Sequence, residues 1–247
     1  MSDDLLEFPD GWRRATVIVA HPDDIEWGIA AAVAAWTAAG RTVAYVLVTY
    51  GEAGIESMEP GAAKVAREAE ERASGAIVGV SEIEFLGHRD GRIVEGLDLR
   101  RDLAAAIRRH RPDVVVGQSH AERWGTAPGA GWNSADHRAV GRATIDAVAD
   151  AGNRWIFPEL HGEPWAGVQW IAVPHGPAET HAVDVTGVVD KAIASLAAHE
   201  QYILGLGIED PAGFATELVE HQTNDVATRF GGRAAVAFEL IPGPAAP

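Results

Sequence analysis

No cysteine occurs among the 247 residues of this chain. Disulfides are excluded, and with them any thiolate metal site or cysteine nucleophile. Basic residues are scarce as well: 20 Lys and Arg stand against 36 Asp and Glu, a formal net charge of −16. Such a chain offers no basic face to a duplex and repels phosphate-rich surfaces at long range, so neither nucleic acid nor an anionic membrane is expected as a partner. No apolar run approaches the ~18 residues of a membrane-spanning helix. The leading MSDDLLEFPDGW is acidic and lacks the apolar stretch of a secretory signal. A cytoplasmic protein is the expectation, and self-association into a homo-oligomer stays open. The composition is otherwise that of an ordinary globular protein, 47% hydrophobic and 23% charged. Ten histidines stand out. Without thiols, any transition metal here must be held by imidazole and carboxylate.

Short apolar runs at 16–20, 42–49, 83–87 and 113–117 read as strands, and helical patterns at 26–40, 61–80, 99–110 and 135–152 alternate with them. That alternation predicts a mainly parallel sheet covered on both faces: a Rossmann-like three-layer α/β sandwich, one domain over residues 1–247. The second half is less regular, with strands expected at 168–174, 180–186 and 233–241 and helices at 187–205 and 211–229. Residues 1–14 and the closing PGPAAP (242–247) are expected to be peripheral or flexible. The polar, Gly-rich stretch 118–134 follows a strand, where parallel sheets carry their ligand-binding loops.

Chemistry-bearing residues recur at the same end of each strand. His21, Asp23 and Asp24 follow the first, Glu52 the second, His88 and Asp90 the third, and His120 and Glu122 the fourth, while His137 opens the next helix. His21 and Asp24 can reach one point from a tight turn stiffened by Pro22, and His137 can approach it from a distant helix. Two imidazoles and a carboxylate are a usual catalytic zinc set that leaves a position for water. Iron, cobalt or manganese would suit the same donors. Asp23 would stand beside the metal, placed to take a proton from that water.

Each residue also has a plainer reading. Helix capping would explain Asp24 but not the imidazole and the second acid beside it. Glu26 suits a helix's first turn by complementing the dipole, and a structural or supporting role is expected of it. Arg67 sits among salt-bridge partners such as Glu70 and Glu71. Asp90, before Gly91, could simply make a turn, and Ser134 reads well as a helix N-cap. His199 could face either the core edge or a pocket. His110, His161, His175 and His221 carry no special context and read as surface or satisfied polar residues. Trp124 and Trp132 flank the Gly-rich loop, where an aromatic ring can stack on a sugar or an acyl chain.

AHPDDIEWG (20–28) followed far downstream by ADH (135–137) resembles the zinc-dependent de-N-acetylases called PIG-L or LmbE-like, whose signature is A-H-P-D-D-x-E with a later H-P-D-H. TYGEAG (49–54), REAEERASGAIVGV (67–80) with FLGHRDG (85–91), and KAIASLAAHEQ (191–201) extend the resemblance over most of residues 16–201. The resemblance implies one zinc ion per chain on His21, Asp24 and His137, Asp23 as general base, and Arg67 and Asp90 lining the substrate pocket. It also implies the removal of an acetyl group from an N-acetylglucosamine-type sugar, or from a related glycopeptide or thiol-conjugate amide.

The chain departs from that pattern at one place. Residues 134–137 read Ser-Ala-Asp-His, so the family's first histidine is Ser134, and a tyrosine-like position two residues earlier is Trp132. Losing an oxyanion donor typically costs about 10²–10³ in rate. His120, oriented by Asp136, is the expected replacement, with His88 second; Trp132 is expected to contact substrate. The activity expected is metal-dependent N-deacetylation of an N-acylated, amino-sugar-containing small molecule. The rivals are an amidase of a thiol conjugate or natural product on the same site, and a metal- or sugar-binding protein that has lost turnover. A dinucleotide oxidoreductase is disfavoured, because the first turn holds no G-x-G-x-x-G and its acids would repel a pyrophosphate.

Overall fold

The computed structural model describes residues 4–124 and 130–247. Its strands are β1 (Leu6–Glu7), β2 (Arg14–Val19), β3 (Thr42–Thr49), β4 (Glu82–His88), β5 (Val114–Val116), β6 (Trp170–Pro174), β7 (His181–Asp184) and β8 (Ala235–Pro242). The helices are α1 (Ala30–Ala38), α2 (Pro60–Ile77), α3 (Leu97–His110), α4 (Ala135–Gly152), α5 (Val189–Ala197), α6 (Glu200–Gly205) and α7 (Pro211–Ala227). One sheet in the order β1-β7-β8-β6-β5-β2-β3-β4 joins all eight strands, and only β8 runs against its neighbours β6 and β7. The expected α/β sandwich with a mainly parallel sheet is what forms.

The inner strands β2, β3 and β5 are almost continuously apolar because both faces are covered. Within β2, Val17 and Val19 point into a core shared with α1, α5 and α7, while Ile18 and the following Ala20 point into a second core under α3 and α4. The period of two along a strand divides neighbouring residues between the two layers. The chain runs outward from β2 through β3 to β4, then returns to β5 on the other side of β2 and continues to β6. The strand order therefore reverses between β2 and β5, and a crevice opens there at their C-terminal ends. His21 leaves β2 at that crevice, and Gln118 and Ser119 leave β5.

Two local expectations are corrected. The helix expected from residue 26 starts at Ala30, and residues 22–29 form successive turns. Asp23 there has φ +91°, a conformation that interrupts a regular helix. The helix expected over 187–205 breaks into α5 and α6 around His199, whose ψ of 45° is not helical. Residues 4–14 are more than a loose lead: β1 adds an edge strand, and Phe8 and Trp12 are buried. Phe8 packs at 5.4 Å from Trp36 and 5.5 Å from Phe238, between ring centroids, so this apolar segment gains more by burial than by staying in water. The C-terminal tail is also tied down, since Gly243 N–H donates to Gln169 O (2.8 Å) and Ala245 N–H to Val168 O (2.9 Å).

Candidate functional site

The turn after β2 is closed on itself, with His21 N–H donating to Asp24 Oδ2 at 2.8 Å. The carboxylate of Asp24 and the ring of His21 thereby face the same way. His137 arrives on the first turn of α4, whose start Ser134 caps by accepting the His137 N–H at 3.1 Å. Three donor atoms converge: His137 Nε2 lies 3.0 Å from Asp24 Oδ1 and 3.3 Å from His21 Nδ1, and His21 Nδ1 lies 3.4 Å from Asp24 Oδ2.

The surroundings assign the protons. Asn133 Nδ2 donates to the carbonyls of Ser119 (3.0 Å) and Ala121 (2.9 Å), so its Oδ1 is left to accept from His137 Nδ1 at 3.1 Å. His21 Nε2 faces Asp90 Oδ1 at 3.1 Å and Asp136 Oδ2 at 3.3 Å, two acceptors. Each ring is thus fixed in the tautomer that turns a lone pair toward Asp24. Two nitrogen lone pairs and a carboxylate packed this closely demand positive charge. Burial disfavours the charged form of His21, yet Asp24, Asp136 and Asp90 raise its pKa well above the ordinary value. Burial likewise opposes ionisation of Asp24, and His137 and His21 overcome it, holding the carboxyl far below its usual range. A divalent cation fits this donor set, and its tetrahedral ligand number leaves a position open. A second triplet, His21 with Asp90 and Asp136, uses the other ring nitrogen. There Asp136 already accepts the N–H groups of Gly91 (2.8 Å) and Ile93 (3.1 Å), and it serves to hold the ring.

Asp23 stands next to this triplet in the strained left-handed backbone noted above, where a non-glycine residue must be held by its neighbours. Its N–H donates to Glu71 Oε2 at 3.3 Å, and its carboxylate accepts from Arg67, which also donates to Pro22 O and, at 2.9 Å, to Gly51 O. Burial pushes the Asp23 pKa up to about 7; Arg67 opposes the shift and the neighbouring Asp24 adds to it. A carboxyl poised near neutrality suits a general base. Beneath lies a fully buried cluster, Glu26, Glu71 and His199, with His199 Nε2 3.3 Å from Glu26 Oε2 and 3.9 Å from Glu71 Oε2. The His199 pKa is raised to about 9: desolvation works against the charge and the two glutamates outweigh it. This imidazolium between two acids fixes Glu71 and, through it, the backbone of Asp23.

The site opens into a cavity of 610 Å³ lined by His21, Asp23, Asp24, Arg67, Asp90 and His137, among others. Of the residues singled out in the sequence, these six meet there, and Trp124 and Ser134 also line the cavity. Arg67 and Asp90 do so chiefly as supports of Asp23 and His21. His120 and Trp132 are not among the lining residues. The expected pairing of His120 with Asp136 does not form, because Asp136 is taken by His21, Gly91 and Ile93. His88 pairs with Asp102 instead (3.0 Å). Trp132 is 56% exposed, between the guanidinium groups of Arg123 and Arg138, and Trp124 is the loop tryptophan that reaches the cavity. Residues 125–129 of that loop lie outside the described residues. Two further lining residues had no signal in the sequence: Tyr202, whose ring lies 4.0 Å from the Arg67 guanidinium, and His175, from the end of β6. Both arrive from the irregular second half of the chain, where no motif marks them.

Among known families, the profile of GlcNAc-PI de-N-acetylase (PIG-L) matches residues 16–148. The 1D-myo-inositol 2-acetamido-2-deoxy-alpha-D-glucopyranoside deacetylase of Kineococcus radiotolerans is 30% identical, with 84% of this chain and 74% of that protein covered. The diacetylchitobiose deacetylase of Thermococcus kodakarensis is 27% identical, over 76% of this chain and 69% of that protein. Among solved structures, the N,N′-diacetylchitobiose deacetylase of Pyrococcus horikoshii superposes with a TM-score of 0.81 at 22% identity, covering 94% of this chain and 85% of that one. The 4-carboxy-2-hydroxymuconate hydratase of Pseudomonas putida superposes at 0.69 and 22% identity, covering 93% and 96%. At that identity the fold is what is shared, and the fold carries more than one chemistry.

Proposed function

The chain belongs to the GlcNAc-PI de-N-acetylase (PIG-L) family, a family of enzymes acting on amides, and we propose that it is a zinc-dependent hydrolase removing an N-acetyl group from an amino-sugar-containing small molecule. The observation that carries this reading is the convergence of His21 Nδ1, Asp24 and His137 Nε2 beside a buried carboxyl poised near neutrality. A divalent ion on those three donors would supply Lewis acidity toward the amide carbonyl and toward water. The other steps belong to side chains. Asp90, Asp136 and Asn133 hold the two imidazoles in the ligating tautomer. Asp23 accepts the proton of the attacking water and returns it to the departing amine, while Arg67 holds its carboxyl and Glu71 its backbone N–H in place. Trp124 walls the cavity with a flat face suited to a sugar ring. The relatives that act on acetamido sugars support the substrate class. Ser134 supports a rival reading, in which turnover is lost, because it is engaged as an N-cap and offers no imidazole.

The test is metal content together with acetate release from a panel of N-acetylated amino sugars and thiol-conjugate amides, in wild type, His137→Ala and Asp23→Asn. About one zinc per chain, lost in His137→Ala and retained in Asp23→Asn, with turnover abolished in both variants, is the expected pattern. Equal metal in wild type and His137→Ala would sink the site, and a metal-loaded wild type inert on the whole panel would favour the binding protein.

A further inference from the structure

His175 lies outside the motif residues, yet it occupies a decisive place. The 610 Å³ cavity is bordered by a smaller one of 150 Å³, and Gly28, Pro174, His175 and Gln222 line both. The imidazole lies over the backbone of Gly28: a Cβ there would meet His175 Nε2 at 3.0 Å and Cδ2 at 3.5 Å, so the ring uses the space that glycine leaves. It is also braced from other sides. Ser119 Oγ donates to the His175 carbonyl at 3.0 Å, and Trp124 presents its ring at 6.1 Å between centroids and 82° between planes. The backbone is left-handed, with φ +52°. A non-glycine residue in that conformation persists where its surroundings over-determine it, and such positions gather at ligand clamps.

We propose that His175 is a specificity-determining partition: its imidazole closes the catalytic cavity off from the smaller one, and the space behind it is a latent subsite for a further sugar unit. This rests on the amino-sugar reading given above. The chemistry behind the ring suits a saccharide better than an acyl chain. Glu179, His221, Asp225 and Arg229 line the smaller cavity, and Arg229 Nη1 and Glu179 Oε2 pair there at 2.8 Å, a mixture of donors and acceptors that matches hydroxyl groups. Burial lowers the His175 pKa, so the ring is neutral and no ion pair anchors it.

The variant to make is His175→Gly, since glycine adopts φ +52° without steric cost and the change removes the ring without straining the backbone. His175→Asn, also tolerant of this conformation, is the companion should the glycine variant lose thermal stability. Binding of N-acetylglucosamine and N,N′-diacetylchitobiose to zinc-loaded protein, measured by calorimetry with Asp23→Asn present in every protein compared so that neither sugar is hydrolysed, gives a readout independent of turnover. The expected result is a rise of about tenfold or more in affinity for the disaccharide relative to the monosaccharide in His175→Gly, with a smaller rise in His175→Asn. A ratio unchanged from wild type in both folded variants overturns the partition, as does failure of every protein to bind either sugar. Acetate release by wild type reports on the hydrolase reading separately: an inert enzyme whose binding ratio still shifts would keep the partition and remove the chemistry.

Discussion

Arg67→Leu tests the central electrostatic argument. The guanidinium is 2% exposed, donates to Asp23, Pro22 O and Gly51 O, and lies against the Tyr202 ring. Leucine keeps much of the apolar stem, takes the donor from Asp23 and from Pro22 O, and leaves Gly51 O with only the Gly54 N–H (3.1 Å). Breaking a buried ion pair by removing one partner costs about 3–5 kcal/mol. For a chain of this length each kcal/mol corresponds to roughly 2–4 °C, so a loss of roughly 6–20 °C in Tm is expected. The result should fall toward the lower end, because Asp23 has an escape. Its pKa is already about 7, Arg67 is the main influence holding it down, and without that charge the carboxyl can bind a proton rather than stay buried and ionised. That relief removes the general base, so turnover should fall by about 10²–10⁴. Thermal unfolding at matched zinc content, alongside acetate release, checks both arms. A variant within about 2 °C of wild type and within about threefold in kcat would refute the claim that Arg67 holds Asp23.

Three further outcomes follow from the same geometry. Gly51 has φ +64°, and a Cβ there would lie 2.2 Å from Arg67 Nη1, so Gly51→Ala should displace the guanidinium, cost about 1–3 kcal/mol and lower kcat in a metal-replete enzyme. His199 has its pKa raised from 6.5 to about 9, so the stability it confers is complete below about pH 6.5 and is lost as pH rises through about 9. Calorimetry between pH 6.5 and 9.5 should show wild type losing about 3 kcal/mol and His199→Gln losing much less; parallel curves would deny a protonated His199. Finally, His120→Ala should leave kcat within about threefold of wild type, since the residue does not line the cavity; a drop of 10² or more would restore it as the missing donor.

The alternation of apolar strands and helices was legible because each element's period reflects which faces it must bury, and that is a local property of the chain. Local spacing likewise placed His21, Asp23 and Asp24 in one turn, and the positions of strand ends placed His137 at the same edge. The corrections fall where the outcome depended on residues far apart. Arg67 was expected at the pocket from the family resemblance, while its helical neighbours Glu70 and Glu71 also allowed a surface salt-bridge reading; it turns inward because Asp23, Pro22 and Gly51 offer it acceptors from two other loops. Glu26, fitted to a helix's first turn by sequence, lies before the helix begins and meets Glu71 and His199 from two distant helical segments in the core. His120 and Asp136 stand sixteen residues apart on one loop and helix, yet Asp136 is claimed by His21 and the loop after β4. His175 acquires its place only once β6 is laid beside β5 and Gly28 comes to rest beneath its ring. The sequence by itself determined the fold class and the turn that carries His21, Asp23 and Asp24, since both follow from periodicity and from short-range geometry. The partners of the buried charges and the walls of the cavity were decided by tertiary packing, because a buried polar group takes whichever partner the fold brings within reach, and sequence distance says nothing about which one that will be.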